Sequence, residues 1–200
     1  MVCRFLLLSH LISLLASATV KYGGELYMDG QNARNIGMGG YSASFSDGRN
    51  PALLIHAHEP SVHFSHKNKF SGLAEVSSFS YLHYRLMDGR ESPFYFSIIN
   101  RSVSNIPDTR AAWIDQNGDL IPERGEINYD NINEISQNEV GLKIACLRKY
   151  NKFALGVSIK PIYTSLAEYT AWGLSGDVAV IVPLLDNKIE FNFRTEDIIG

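Results

Sequence analysis

Cysteine is scarce in this sequence. Two cysteines occur among 200 residues, and the first of them, Cys3, lies in the amino-terminal leader described below. Removal of that leader leaves Cys146 alone, so no disulfide can form within the chain. The sequence therefore excludes a small secreted domain that is held together by disulfides.

The chain also lacks the motifs of common enzymes and nucleic-acid-binding proteins. It contains no nucleophile elbow, phosphate-binding loop, metalloprotease helix or paired-cysteine motif. The net charge is -3 and no basic stretch stands out, which argues against a nucleic-acid partner. We therefore predict a protein that is not an enzyme and does not bind nucleic acid.

Long hydrophobic runs are absent except at the amino terminus. Arg4 precedes an apolar run at residues 5–15, and Ala16-Ser17-Ala18 follows as a small-x-small cleavage site. This order is typical of a signal peptide, which we assign to residues 1–18. The alternative is a membrane anchor, although a spanning helix needs about 20 apolar residues. An exported chain without another apolar run is either soluble or a β-barrel.

Glycine and other small residues dominate the segment that follows the leader, residues 19–60. Three glycines fall within four positions at Gly37, Gly39 and Gly40. Such a composition disfavours both helices and long strands but allows close backbone packing. We expect this segment to pack at or inside a β-structure formed by the rest of the chain.

From residue 61 the sequence alternates between apolar and polar residues, as β-strands do. The clearest case is residues 189–194, where three large apolar residues alternate with Glu190, Asn192 and Arg194. Seven strands are predicted in this way, at residues 61–66, 78–86, 94–103, 140–147, 153–160, 172–180 and 189–194.

This alternation is typical of strands between lipid and a polar barrel interior. A strand of a soluble sheet, with one face on a core and one in water, gives the same pattern. Tyr163, Tyr169 and Trp172 fall near strand ends, where they would suit an interfacial aromatic girdle or an ordinary sheet. In a barrel, the predicted lumen-facing residues are Lys160, Asp177, Glu190, Asn192 and Arg194.

A long polar stretch at residues 105–138 interrupts the strands and is predicted to be an extracellular loop. It contains oxygen-bearing groups at positions 1, 3, 5, 7, 9 and 12 of a calcium-binding loop. Position 6, which is normally glycine, is Leu120, so the alternative is a solvated acidic turn without Ca²⁺. The six candidate ligands are Asp115, Asn117, Asp119, the Ile121 carbonyl, Glu123 and Glu126.

Residues 32–47, with Asn50-Pro51-Ala52-Leu53 shortly after, resemble the amino-terminal signature of PorV/PorQ-family outer-membrane barrels, which belong to the FadL-like group. Weaker similarity continues at 106–122, 156–166 and 173–177, so that the resemblance covers about residues 25–200. The signature positions are Gly37, Met38, Gly39, Gly40, Asn50, Pro51 and Ala52.

The resemblance implies an all-β fold, an antiparallel transmembrane β-barrel of about fourteen strands. Residues 61–200 supply about seven or eight of them, so the expectation is part of a larger barrel. It also implies a place in the cell outer membrane, in contact with lipid. The implied function is transport of hydrophobic compounds or service in type IX protein secretion, with hydrophobic small molecules or secretion-system subunits as partners.

The competing hypothesis is a soluble exported β-sandwich that acts as a binding or adhesion module with a calcium loop. The two hypotheses differ in the surroundings of one set of apolar side chains. A barrel leaves them exposed as a continuous belt, whereas a sandwich buries them against a second sheet. The set is Phe153, Leu155, Val157, Ile159, Phe191 and Phe193.

Overall fold

The computed structural model describes residues 25–29, 48–87, 90–121, 123–185 and 188–198. Its strands are β1 (Ser61–Lys69), β2 (Ala74–Met87), β3 (Arg90–Asp108), β4 (Asn133–Lys149), β5 (Ala154–Leu166), β6 (Tyr169–Leu184) and β7 (Ile189–Thr195). One short α-helix, α1, spans Glu25–Asp29. Short 3-10 helices lie at Pro51–His56, Phe70–Gly72, Arg124–Glu126 and Tyr129–Asn131.

The seven strands form one antiparallel sheet in which every strand pairs with its neighbours in sequence. This confirms the predicted all-β class, the antiparallel pairing and the seven predicted strands. The long connection from β3 to β4 and the two-residue turn at 167–168 lie at one end of the sheet, called here the loop end. The turn at residues 150–153 lies at the opposite end, the turn end, where the Tyr150 amide donates to the Phe153 carbonyl over 2.8 Å.

One face of this sheet, the apolar face, presents large hydrophobic side chains to the surroundings. Ile159 is 49% exposed, Phe193 is 56% exposed, and Phe64 on the first strand is 72% exposed. Further exposed members are Val62, Phe79, Tyr81, Ile98, Val157, Leu174, Ile189 and Phe191. No helix among the described residues has the length and apolar character needed to cross a membrane.

The opposite face, the covered face, carries the polar residues of the strands and two short helices. The 3-10 helix Pro51–His56 lies across β4, β5 and β6, and Ala52 and Leu54 are completely buried. Asn50 caps this helix, because its side-chain oxygen accepts the Ala52 amide over 3.0 Å. The apolar cluster beneath the helix comprises Leu82, Tyr95, Ala145, Leu147, Ala154, Ala179 and Ile181.

Gly156 explains how the 3-10 helix approaches β5 so closely. A Cβ atom at Gly156 would lie 2.3 Å from the Pro51 carbonyl carbon and 2.4 Å from the Ala52 nitrogen. Both atoms belong to backbone, so no side-chain rotation could relieve the clash. The described part of the amino-terminal segment therefore packs on the sheet through direct backbone contact.

The helix α1 packs nearer the loop end of the covered face. Leu26 is 1% exposed and forms a small cluster with Val76 and Ile99. Gly141 makes room for α1, since a Cβ atom there would lie 2.9 Å from the Leu26 side chain. The amino-terminal segment thus contacts the sheet at two separate places.

The predicted loop at 105–138 is too long at both ends. β3 continues to Asp108 and β4 begins at Asn133, so the connection spans residues 109–132. Pairing resumes at Ile106 with Ile135 after a register shift, and Asn105 adopts a φ of +56° at that irregularity. The position of such a bulge is determined by pairing with the partner strand. The extra residue interrupts the alternation of apolar and polar residues, so the sequence pattern does not indicate that the strand continues.

Substitution of Gly156 by alanine is expected to destabilise the protein by about 1–3 kcal/mol, because the added methyl group collides with backbone. The measurement is the midpoint of denaturant-induced unfolding. The matched control is Gly125→Ala, which adds the same methyl group where no atom lies within 4 Å. Equal midpoints for the two variants would contradict the close approach of the 3-10 helix.

Candidate functional site

Three charged side chains meet at the centre of the covered face. Lys143 is on β4, Lys160 on β5 and Asp177 on β6, and these residues are 7%, 4% and 2% exposed. The register that pairs Gly141 with Ile162 and Ile144 with Ile159 places the two lysines opposite each other. Strand pairing therefore brings together residues that are far apart in sequence.

Asp177 joins the two lysines. The Lys143 Nζ lies 3.0 Å from Oδ2 of Asp177, and the Lys160 Nζ lies 2.6 Å from Oδ1. Ser158 also donates its hydroxyl to Oδ2 over 2.8 Å. Charges this deeply buried are tolerated only when they are paired and hydrogen-bonded, and each member of this cluster satisfies that condition.

Two further contacts extend the cluster beyond the three strands. Asp197, which follows β7, lies with its Oδ1 2.5 Å from the Lys160 Nζ and accepts the Ser175 hydroxyl over 2.6 Å. The Lys143 Nζ also donates to the carbonyl of Arg49, over 2.9 Å. The two lysines and two aspartates balance in charge, and the cluster links the sheet to the residue before the capping Asn50.

A second ionic cluster holds the end of α1. The Asp29 carboxylate pairs with Lys69 on β1 and lies 3.2 Å from the Arg101 guanidinium on β3. Arg101 in turn pairs with Glu139 on β4. The Lys67 Nζ donates to the Asp29 carbonyl over 2.5 Å. Asp29 therefore connects the helix to both β1 and β3.

A cavity of about 610 Å³ lies between these two clusters. This volume falls within the range of small-molecule sites, roughly 300–1,000 Å³, but such sites are mostly lined by apolar and aromatic groups. Here charged residues of both signs dominate the lining. They are Glu25, Asp29, Arg49, Lys69, Arg101, Lys143, Lys160, Asp177, Arg194, Glu196 and Asp197, together with Tyr27 and Met28.

The structure places all five predicted lumen-facing residues on the covered face. Lys160 and Asp177 belong to the central cluster. The three residues on β7 contact other partners: Glu190 lies 2.9 Å from His56, Asn192 accepts the Asn50 side-chain amide over 3.1 Å, and Arg194 pairs with Glu196. The prediction that this face lines a lumen stays a prediction.

Several residues of the site were not predicted. Lys143 occupies an alternating position of a predicted strand, just as Lys160 does, so the pattern contained the signal for it. Tyr27 and Asp29 carried no such signal, because α1 lies in a glycine-rich segment with no regular period. Of the signature residues, Asn50, Pro51 and Ala52 form the start of the 3-10 helix, whereas Gly37, Met38, Gly39 and Gly40 lie outside the described residues.

In the candidate calcium loop, side-chain oxygens accept hydrogen bonds from backbone amides of the same loop. Oδ1 of Asp115 accepts the Gly118 amide over 2.7 Å, and Oδ2 accepts the Leu120 amide over 3.2 Å. Oδ1 of Asp119 accepts the Ile121 amide over 2.7 Å. Within the described parts of the chain, no three His, Cys, Asp or Glu side chains are placed to hold a metal ion. Calcium binding stays a prediction.

Glu126 organises this loop. It is 6% exposed, and its carboxylate accepts the Gln116 amide over 2.9 Å, the Trp113 indole N–H over 3.1 Å and the Glu123 amide over 3.3 Å. These hydrogen bonds, led by the one from Gln116, lower the pKa of Glu126. Position 6 of the loop, where the backbone turns sharply and glycine is usual, is occupied by Leu120. Its φ is +61°, in the region that favours glycine.

Replacement of Asp177 by asparagine is expected to destabilise the protein by about 3–5 kcal/mol, because it leaves two buried lysines without their shared counter-ion. The measurement is the free energy of unfolding in urea. Lys152→Met is the control, since it removes a charge from the exposed turn between β4 and β5. A loss no larger than that of the control would show that the cluster does not carry this stability.

Acid is expected to disorder the loop around Glu126 at a pH below the usual carboxyl range. The pKa of Glu126 is lower in the folded loop than in the unfolded chain, so the stabilisation is complete above the unfolded pKa and is lost as the pH falls through the folded pKa. Trp113 fluorescence in a Trp172→Phe background reports the change. Glu126→Gln should give the acid spectrum at neutral pH, whereas Glu123→Gln should not.

No protein-family model, no curated protein and no solved structure matches this chain. The resemblance described above therefore depends on the sequence motifs alone.

Proposed function

We propose that this chain forms part of the wall of an outer-membrane β-barrel of PorV/PorQ type. The observation that carries the proposal is the distribution of side chains on the sheet. Large apolar residues are exposed on one face, while charged residues are buried and paired on the other. A barrel in lipid needs this arrangement, since its outer surface contacts hydrocarbon and its interior is polar.

The height of the apolar face supports the proposal. Along β5 and the residue before it, the apolar face runs from Phe153 to Tyr163, which is ten steps of about 3.3 Å, or roughly 33 Å. Tilted by about 40°, as barrel strands are, this length spans about 25 Å across the membrane. An outer-membrane barrel has an apolar band of about that height.

Aromatic pairs at both limits of the apolar face also support it. Tyr163 and Trp172 lie near the loop end with ring centroids 4.6 Å apart. Tyr150 and Phe153 stack at the turn end with centroids 4.7 Å apart, and the Arg148 guanidinium lies 5.8 Å from the Tyr150 ring centroid. Aromatic and basic residues are favoured at the two interfaces of a membrane protein.

The competing soluble sandwich would require the apolar face to be covered. In the described structure Val157 is 39% exposed, Phe153 is 39% exposed and Phe191 is 59% exposed. A contiguous exposed apolar surface of this extent is unusual for a soluble monomer.

The barrel proposal also requires partners for the two edge strands. In the barrel, the edges at β1 and β7 are continued by further strands, because open edges in lipid leave backbone groups unpaired.

Within the proposed family, the polar cavity favours service in type IX protein secretion over transport of hydrophobic compounds. A hydrophobic compound gains free energy by leaving water for apolar surface. The cavity offers it paired ions instead, including Asp177 with two lysines and Asp29 with Lys69. Bound in this cavity, such a compound would lie mainly against charged groups and would gain little from leaving water.

Arginine at position 157 tests the membrane location. Val157 lies near the middle of the apolar run of β5, so Val157→Arg is expected to cost about 2–4 kcal/mol in lipid and to reduce the amount found in the outer membrane. Trp172→Arg, near the interface, is the control and should cost about 0–1 kcal/mol. Quantitative cell fractionation, with folding in lipid vesicles, measures both.

Gel mobility with and without heating completes this test. A closed barrel in detergent shifts its mobility when it is heated. Recovery of the unsubstituted protein in the soluble fraction, with no loss for Val157→Arg, would contradict the proposal and favour the sandwich. A membrane-bound protein that never shifts would contradict closure of the barrel.

A further inference from the structure

Pro161 occupies an unusual place in the sheet. It lies in the interior of β5, which pairs with β4 on one side and with β6 on the other. Proline has no backbone N–H to donate and is normally confined to edge strands and bulges. Its neighbours must therefore compensate for a missing hydrogen bond.

The missing donor faces β4. On the β6 side, the pairing of β5 is continuous from Ala154 to Leu166. On the β4 side, it stops after Gly141 with Ile162 and resumes at Ile144 with Ile159. Leu142 therefore lies opposite Pro161 within this interruption, and its carbonyl receives no hydrogen bond from the proline.

The Tyr27 hydroxyl of α1 enters this interruption. Its oxygen lies 3.1 Å from the Leu142 carbonyl oxygen and 2.5 Å from the Pro161 carbonyl oxygen. Gly141 allows the approach, because a Cβ atom there would lie 3.0 Å from the Tyr27 ring. A hydroxyl has one proton and donates to one of these carbonyls at a time, and donation to Leu142 fills the acceptor that Pro161 leaves unused.

The surroundings of Tyr27 keep its hydroxyl a donor. The Tyr27 hydroxyl carries its proton at physiological pH, and burial raises its pKa further above its usual value. The Lys160 Nζ lies 5.4 Å from the centre of the ring and adds a cation–π contact. The ring and the hydroxyl are therefore both held at the sheet.

We propose that the Tyr27 hydroxyl supplies the hydrogen-bond donor that Pro161 cannot, and that this contact fixes α1 to the sheet. In this role α1 is a permanent part of the covered face rather than a removable plug. The inference uses only contacts among α1, β4 and β5. It therefore does not depend on whether the protein lies in a membrane.

The surrounding ion pairs agree with a permanent role. Asp29, two residues after Tyr27, pairs with Lys69 on β1 and Arg101 on β3. Removal of α1 would leave these two cations without Asp29 and the Leu142 carbonyl without Tyr27. Each loss leaves a partly buried polar group without one of its partners, which is costly.

A double-mutant cycle tests the inference through Tyr27→Phe, Pro161→Ala and the combination. Pro161→Ala restores a backbone N–H beside Leu142, so the hydroxyl becomes dispensable. Tyr27→Phe should increase the unfolding equilibrium constant roughly tenfold with Pro161 present and less than about threefold in the Pro161→Ala background. Tyr163→Phe is the control. It also removes a tyrosine hydroxyl, but from the apolar face of β5, whereas Tyr27 contacts β5 from the covered face.

Hydrogen exchange provides a second measurement that needs only the Tyr27→Phe variant. In the unsubstituted protein, the amides of residues 25–29 that are protected should open only together with the sheet. In Tyr27→Phe they should exchange before the sheet does. An equal cost of Tyr27→Phe in both backgrounds, or unchanged exchange of α1, would overturn the inference.

Discussion

The burial of Asp177 between Lys143 and Lys160 is the interaction on which the geometry of the covered face depends. Each of these ions costs several kcal/mol to remove from water, and the cost is offset by the pairing of both lysines with Asp177 and of Lys160 with Asp197. A slip of one residue between β4 and β5 would move Lys143 to the apolar face. The ion cluster therefore penalises every register except the observed one, in a sheet whose apolar face imposes weaker constraints.

The remainder of the covered face follows from the same constraint. Polar strand residues cannot form a hydrophobic core by themselves. The amino-terminal segment therefore supplies apolar side chains to the part of the covered face that lies beyond the ion cluster. Leu53 and Leu54 pack over Ala145, Ala154 and Ala179 toward the turn end. Small residues at these positions leave the volume that the 3-10 helix fills. The covered face is thus apolar beneath the 3-10 helix and ionic between that helix and α1.

The sequence predicted the strands and their faces well, because alternation reports the two sides of a sheet directly. Lys160, Asp177 and the polar residues of β7 fall on the predicted side. The limits of β3 and β4 were not predictable, since the bulge near Asn105 depends on pairing with Ile135. The contacts of Tyr27 and Asp29 were also beyond prediction, because a five-residue helix leaves no period and its position is determined by the sheet.

The interruption of pairing between β4 and β5 lies at the ionic site, and two separate defects meet there. Lys143 and Lys160 are directly opposite each other, and like charges at such positions destabilise a sheet. Pro161 adds the loss of a backbone hydrogen bond beside them. Asp177 offsets the first defect and Tyr27 offsets the second, one from the neighbouring strand and one from α1. Because α1 supplies a hydrogen bond that the pairing of β4 and β5 lacks, it contributes to the stability of the sheet itself. Removal of α1 would expose the defect at Pro161, whereas the two lysines would keep Asp177.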